Sequence, residues 1–181
     1  MTPHVSLMPR AAVPSLDLPL VGGSTWSLAE QNSENFTLVV FYRGRHCPIC
    51  SMYLSDLKRK ADDFAERGVD IVAASTDGGE RAADAKSEWK LDNLNIAYDM
   101  SIEEARKWGL YISAGRGKTS IGIEEPDLFS EPGVFLVRPD QTLYYGATQT
   151  MPFARPGFAD LLKAVEFAVE KNYPARGEVA G

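Results

Sequence analysis

Two cysteines separated by two residues have the clearest chemical potential in this sequence. Cys47 and Cys50 are the only cysteines among 181 residues, and both lie in the stretch FYRGRHCPIC that begins at Phe41. An apolar run precedes them and a helical pattern follows them. Two thiols between the end of a strand and the start of a helix are typical of a redox site. Once one sulfur is oxidised, the other is close enough to attack it and form an internal disulfide.

The residues around the pair favour a reactive thiol. A helix N-terminus stabilises negative charge through its unpaired N–H groups and its dipole. Arg43, Arg45 and His46 add positive or potentially positive charge to the same turn. We therefore expect the pKa of a cysteine at this place to be lowered. For Arg45, a solvated loop charge is an equally good interpretation.

Two other interpretations of the cysteine pair remain open. A C-x-x-C motif can form half of a zinc site, but the chain contains only two histidines, His4 and His46, and no further cysteine. A closed four-ligand site is therefore hard to assemble, and we expect no metal and no bound cofactor. Alternatively, the two cysteines are small apolar residues of the core with no chemical role.

The helix after the motif has a clear apolar stripe. Residues four and three positions apart form it: Cys50, Leu54, Leu57, Ala61 and Phe64. Gly68 stands where a helix is expected to end. This pattern predicts that Cys50 faces the core, while Cys47 lies one turn earlier and more exposed at the mouth of the helix.

The other elements follow from periodicity and turn residues. Strands are predicted at 37–42, 69–75, 95–99, 133–137 and 142–145, with a short one near Trp26. Helices are predicted at 80–90, 101–108 and 158–171, the second with a capping box from Ser101 to Glu104. Residues 116–130 lack periodicity and are predicted to be a loop or insertion.

This order of elements predicts a thioredoxin-like three-layer α/β/α sandwich with a mixed central sheet. The early strands, joined by helices, should be parallel, and the late hairpin should be antiparallel. We find no repeat and no linker, so residues 1–181 are expected to form a single domain. Its ends are predicted to be an extended N-terminal arm and an irregular C-terminal tail.

Composition excludes several classes of function. The apolar content of 44% supports a sizeable core, and the formal charge of −6 offers no basic surface for nucleic acid or acidic membranes. No apolar run is long enough to span a bilayer. The first residues lack the pattern of a secretory signal, so we expect a cytoplasmic protein.

Six stretches in the same order resemble the peroxiredoxin-like branch of the thioredoxin superfamily, the alkyl hydroperoxide reductase C and thiol-specific antioxidant family. They are FYRGRHCPIC, VDIVAASTD, Trp89, NIAYD, ARKWGLY and GVFLVRPDQTLYYG, and the similarity runs from about Pro14 to about Tyr145. The resemblance implies an antioxidant oxidoreductase that reduces hydroperoxides through a Cys47/Cys50 dithiol–disulfide cycle. A thioredoxin- or glutathione-type donor would supply the electrons, because the chain has no flavin or nicotinamide fingerprint. A homodimer is a further implication.

The sequence departs from the family at the site itself. In peroxiredoxins the turn reads like F-Y-P-x-x-x-T-x-x-C, which puts Cys50 at the peroxidatic position and Cys47 at the threonine. Arg43 then replaces the proline, and Pro132 stands where the family has its active-site arginine. A proline at that place resembles thioredoxin, where it is a cis-proline beside the C-x-x-C.

These departures leave the nucleophile open. The peroxiredoxin pattern nominates Cys50, whereas thioredoxin logic nominates Cys47 with Cys50 as the resolving thiol. One hypothesis is that Arg43 replaces the missing arginine and polarises the O–O bond. Glu131 is either a proton acceptor or donor near the cysteines or an exposed loop carboxylate.

The remaining expectations concern substrate contacts and other functions. Tyr42, His46 and Pro132 are candidates for positioning the substrate. A thioredoxin-like oxidoreductase acting on protein disulfides is the first alternative to a peroxidase. The second is a non-catalytic redox sensor in which residues 116–130 respond to the disulfide.

Overall fold

The computed structural model describes residues 3–181, so the first two residues of the predicted N-terminal arm lie outside the described residues. The strands are β1 Asp17–Pro19, β2 Thr25–Ser27, β3 Phe36–Phe41, β4 Val69–Ala74, β5 Asn95–Ala97, β6 Ile112–Ala114, β7 Leu128–Ser130, β8 Gly133–Val137 and β9 Leu143–Thr148. The α-helices are α1 Pro48–Glu66, α2 Gly79–Glu88, α3 Ile102–Lys107 and α4 Phe158–Glu170. A short 3₁₀ helix spans Leu28–Glu30.

Five strands form the central sheet in the order β5-β4-β3-β8-β9. β3 lies in the middle, parallel to β4 and antiparallel to β8, and all of its residues are buried. β4 pairs in parallel with β5, and β8 pairs antiparallel with β9. The predicted mixed sheet, with parallel early strands and an antiparallel late hairpin, is confirmed.

Apolar clusters cover both faces of this sheet. Leu38 and Val40 of β3 point to one face, where α1 and α4 pack, and Val39 and Phe41 point to the other, where α3 packs. This alternation is the two-residue period of a strand buried on both sides. Each large apolar side chain buried in this way stabilises the fold by about 1.5–3 kcal/mol. The three-layer sandwich is therefore confirmed.

Helix α1 carries the predicted stripe against the sheet. Its buried residues are Cys50, Leu54, Leu57 and Phe64. Pro48 occupies the first turn, where a missing backbone N–H costs nothing. Gly68 follows the helix with a positive φ of 69°, as the sequence predicted for the helix end.

The region predicted as an irregular loop is partly a strand. Ser130 and its two preceding residues form β7, which pairs antiparallel with β6. The prediction is therefore wrong at 128–130, because a three-residue strand is too short to show a period. The intervening residues 115–127, called the excursion below, form a long connection with one isolated bridge between Lys118 and Glu124.

The chain ends are attached differently. The N-terminal arm runs along the start of β9, where Arg10 N–H donates to Leu143 O at 2.8 Å and Leu143 N–H donates to Ala11 O at 3.0 Å. The tail after α4 contains no helix or strand, as predicted. No helix within 3–181 combines the length and apolar character required to cross a membrane.

Candidate active site

A tight turn joins β3 to α1 and brings the cysteines to the edge of the sheet. Gly44 has a φ of +138°, a conformation that glycine adopts without strain. Asp77, from the connection after β4, accepts the Arg45 backbone N–H at 2.7 Å. A Cβ on Gly44 would lie 2.7 Å from Asp77 Oδ1. The turn and Asp77 therefore fit together only with glycine at this position.

Both cysteines are free thiols, and both are buried. Cys47 is 1% exposed and Cys50 is 0% exposed. The Cys50 backbone N–H donates to Cys47 Sγ at 3.3 Å, so Cys47 is the N-cap of α1 through its side chain. The predicted inward position of Cys50 is observed. The predicted exposure of Cys47 is wrong, because its sulfur turns back to cap the helix.

The two thiols have opposite acid–base properties. A hydrogen bond from the Cys50 side chain is the largest influence on Cys47, and it lowers the pKa of Cys47 to about 6 against the effect of burial. The charges of Arg43 and Arg155 act in the same direction. Burial and the interaction with Cys47 raise the pKa of Cys50 well above its ordinary value. At neutral pH, Cys47 therefore carries the charge and Cys50 keeps the proton.

Arg43 is engaged by carboxylates. Its Nε lies 3.1 Å from Glu131 Oε2, and its Nη2 lies 3.3 Å from Glu131 Oε1. Glu125 Oε1 is 3.8 Å from the same guanidinium, which also stacks over the Phe129 ring at 4.7 Å. These contacts engage the Arg43 guanidinium, which the sequence hypothesis had assigned to polarising the O–O bond of a peroxide.

Glu131 is buried and forms part of this network. Its Oε1 accepts the Ser113 hydroxyl at 2.6 Å in addition to the Arg43 contact. The interpretation of Glu131 as an exposed loop carboxylate is therefore wrong. Pro132, also buried, accepts the Gln149 N–H at 3.0 Å. All peptide bonds among residues 3–181 are trans, so Pro132 lacks the cis geometry of its thioredoxin counterpart.

His46 does not contribute positive charge. The ring is fully buried and packs edge-on against Phe129, with centroids 4.7 Å apart. Burial, with help from the charge of Arg43, lowers the pKa of His46 to about 4. The expectation that His46 is a potential cation is wrong for this reason. Arg45 points to the surface of α2, where Nη1 lies 3.1 Å from Asp84 Oδ2.

Tyr42 lies behind the cysteines in the interior. It is fully buried, and its ring meets Trp89 edge-on at 6.0 Å. Burial is the largest cause of its raised pKa, and the charge of Asp77 adds to that effect. Tyr42 is therefore a neutral phenol at physiological pH.

Arg155 completes the site, although no motif in the sequence marks it. Its Nη1 donates to Cys50 Sγ at 3.4 Å, and its guanidinium stacks over the Tyr53 ring at 4.2 Å. The Tyr53 hydroxyl donates to Pro156 O at 2.5 Å and so fixes the segment between β9 and α4 against α1. The only trace in the sequence is an arginine in a proline-containing stretch, MPFARPG, without helical or strand periodicity.

Comparison with known proteins decides the family. The model of the AhpC/TSA family matches residues 9–146, which is most of the chain. The chain belongs to the AhpC/TSA family. Among relatives of this AhpC/TSA protein, a 1-Cys peroxiredoxin of Onchocerca volvulus is 24% identical over 159 residues, covering 81% of this chain and 62% of the relative. The chain thus spans about three fifths of that relative's length.

Solved structures of similar proteins share the fold. Peroxidoxin BcpB from Mycobacterium tuberculosis aligns with a TM-score of 0.69 and 21% identity, covering 90% of this chain and 98% of that one. A mutant of the Peroxiredoxin 6 of Arenicola marina aligns with a TM-score of 0.72 and 18% identity, covering 92% of this chain and 76% of that one. The family match over residues 9–146 confirms the resemblance to the peroxiredoxin-like branch, and these structures confirm its fold.

Within residues 3–181, no three side chains of His, Cys, Asp or Glu are grouped closely enough to bind a metal ion. The chemistry available to the described residues is that of two thiols, one ionised and one protonated, beside an arginine.

Proposed function

We propose that this protein is a thiol-dependent peroxidase that reduces hydroperoxides through a Cys47/Cys50 dithiol–disulfide cycle. The observation that carries this proposal is the asymmetry of the thiols. Cys47 caps α1 with a pKa of about 6, and Cys50 is a buried thiol in contact with Arg155. Membership of the AhpC/TSA family supports the same function.

The chemistry begins with attack on the peroxide. The Cys47 thiolate attacks one peroxide oxygen, the O–O bond breaks, and the other oxygen leaves as an alkoxide that takes up a proton. Cys47 is then a sulfenic acid. Cys50 sulfur attacks Cys47 sulfur, the S–O bond breaks, and hydroxide leaves as water with the proton that Cys50 gives up. The resulting disulfide accepts two electrons and two protons from an external thiol donor.

Arg155 is assigned the role that the sequence hypothesis gave to Arg43. A cation beside the sulfurs stabilises the negative charge that develops on the leaving oxygen. Arg155 contacts Cys50 Sγ at 3.4 Å, whereas Arg43 is held against Glu131 at 3.1 Å. This contact with a cysteine sulfur supports Arg155 as the replacement for the arginine that is absent at Pro132.

The size of the substrate follows from burial. Cys47 is 1% exposed, so a small hydroperoxide reaches its sulfur more readily than a protein disulfide does. The alternative, a thioredoxin-like oxidoreductase acting on protein disulfides, is favoured by the C-x-x-C order and the lowered pKa of Cys47. The buried thiols and the trans peptide bond before Pro132 weigh against it.

The proposed setting is a reducing one. A thioredoxin- or glutathione-type donor in the cytoplasm would return the disulfide to the dithiol state. We propose that residues 1–181 act as one domain, either alone or as a homodimer. The second alternative is a redox-sensing role. It differs from the peroxidase in that the cysteines would be oxidised slowly and no substrate would be turned over.

The decisive experiment treats reduced wild type, Cys47→Ser and Cys50→Ser with one equivalent of hydroperoxide and measures intact mass. We expect wild type to lose two hydrogens, Cys50→Ser to gain one oxygen, and Cys47→Ser to change much more slowly. Oxygen gained only by Cys47→Ser would make Cys50 the nucleophile. If none of the three reacts at micromolar peroxide, the peroxidase proposal is wrong and disulfide exchange takes its place.

A further inference from the structure

Arg43 lies between two carboxylates that come from different parts of the chain. Glu131 precedes β8 and forms the closer pair, with Nε–Oε2 at 3.1 Å. Glu125 belongs to the excursion, and its Oε1 lies 3.8 Å from Arg43 Nη2. The side chains are only 18%, 5% and 10% exposed for Arg43, Glu131 and Glu125. Solvent therefore screens this group weakly.

Glu125 is held in place by the backbone of its own excursion. The Arg116 N–H donates to Glu125 Oε2 at 2.7 Å. The Glu125 backbone N–H donates to Gly117 O at 3.0 Å. One carboxylate oxygen is thus bound within the excursion, while the other faces Arg43. The side chain is oriented rather than free to turn into solvent.

The charges in this group do not cancel. One guanidinium faces two carboxylates, so part of its positive potential is offset before it reaches Cys47, four residues later in the chain. The groups that lower the pKa of Cys47 are Cys50, Arg43 and Arg155. The neighbouring His46 ring is neutral. Glu131 and Glu125 are therefore in a position to set how strongly Arg43 acts on Cys47.

We propose that Glu125 is a positioning residue, which draws Arg43 toward the carboxylates and limits the stabilisation that Arg43 gives to the Cys47 thiolate. This inference rests on the proposed function, in which that thiolate is the nucleophile. The chemical advantage is nucleophilicity, because a thiolate loses intrinsic reactivity as its pKa falls. A segment outside the central sheet thereby adjusts the chemistry of the cysteine turn.

The test is a pH profile of alkylation in a Cys50→Ser background, where Cys47 alone reacts with iodoacetamide. We expect Glu125→Gln to lower the pH midpoint by roughly half a pH unit, because one negative charge near Arg43 is removed. Glu125→Asp keeps the negative charge but moves it away from Arg43, because the side chain is one methylene shorter. It should therefore lower the pH midpoint by less. Glu124→Gln is the matched control, since Glu124 is the exposed neighbour on the same excursion, and it should change nothing.

A second background separates action through Arg43 from direct action on the sulfur. With Arg43→Gln present, Glu125→Gln should lose most of its effect. The proposal is overturned if the effect persists unchanged in that background, if Glu124→Gln produces the same shift, or if Glu125→Gln produces none. Thermal unfolding of each variant identifies any loss of folding, and Glu125→Asp then supplies the deciding comparison.

The alkylation assay contains no peroxide, so it is independent of turnover. A protein that fails to consume hydroperoxide but shows the expected midpoints retains this inference and loses the proposed function. A protein that consumes hydroperoxide with unchanged midpoints retains the function and loses the inference.

Discussion

Two regions of this molecule are equally buried but are built from different side chains. Leu54 and Phe64 of α1 pack in an apolar cluster against the sheet. Around the cysteine turn the buried residues include His46, Asp77 and Glu131. Both ring nitrogens of His46 and Oδ1 of Asp77 have no hydrogen-bond partner within residues 3–181. The apolar region stabilises the fold. The unpaired buried polar groups of the cysteine turn cost free energy, and such a cost is expected at a functional site that holds charged groups.

The largest effect should come from the apolar region. Phe64→Ala removes a fully buried ring and leaves a cavity, so we expect the free energy of unfolding to fall by about 3–5 kcal/mol. Denaturant unfolding measures this loss. Phe153→Ala is the matched control, because that ring is 75% exposed and should change stability by less than about 0.5 kcal/mol. Equal losses in the two variants would contradict the division into regions.

The turn should show the next largest effect. Gly44→Ala places a Cβ at a φ of +138° and 2.7 Å from Asp77 Oδ1, so we expect a loss of about 3 kcal/mol in the free energy of unfolding. Gly22→Ala isolates the backbone part, because Gly22 has a φ of +112° and no atom of residues 3–181 beyond its chain neighbours lies within 4 Å of the added Cβ. Its loss should be about 1 kcal/mol. If Gly44→Ala costs no more than Gly22→Ala in denaturant unfolding, the contact with Asp77 is not restrictive.

His46 should make stability depend on pH. Its pKa is about 4 in the folded protein, below the ordinary value, so the unfolded chain binds its proton first as pH falls. Stability is therefore complete above about pH 6.5 and is lost as pH falls toward 4, by about 2 kcal/mol between pH 7 and pH 5. In His46→Phe this part of the dependence should disappear from denaturant unfolding measured across that range. Parallel pH curves for the two proteins would show that His46 is protonated without cost.

The smallest effect concerns the arginine at Cys50. Arg155 lowers the pKa of Cys47, so Arg155→Met should raise the pH midpoint of Cys47 alkylation from about 6 by up to about one pH unit. Arg59→Met is the control, because that side chain lies on α1, as Cys50 does, but is 66% exposed and contacts Asp56 instead of a thiol. An unchanged midpoint in Arg155→Met would remove Arg155 from the electrostatics of the site.

The central part of the fold could be predicted from the sequence because its signals are local. The strand β3, the stripe on α1 and the capping box at Ser101 each depend on residues within a few positions of one another. The box is present, with Ser101 Oγ accepting the Glu104 N–H at 3.1 Å. The inward position of Cys50 followed from the same stripe. Periodicity was sufficient wherever neighbours in the chain determine the structure.

The rest of the site depends on contacts between distant segments. Cys47 was expected to be exposed because its position is the end of a helix, but capping turns its sulfur inward. His46 was expected to be a potential cation, but the Phe129 ring that buries it lies far along the chain. The contact from Arg155 to Cys50 spans 105 residues. No pattern in a single sequence records such a contact.

The separation of 105 residues between Arg155 and Cys50 has a consequence for folding during synthesis of the chain. A growing chain presents both thiols long before the segment with Arg155 and Pro156 leaves the ribosome. The cap at Cys47 is local and can form with α1, but the contact with Cys50 must wait until Arg155 has been synthesised. We therefore expect nascent and truncated chains to hold thiols that are more open to stray oxidants and mixed disulfides than those of the finished protein. Docking of the segment that carries Arg155 is therefore the step at which we expect Cys50 to become protected.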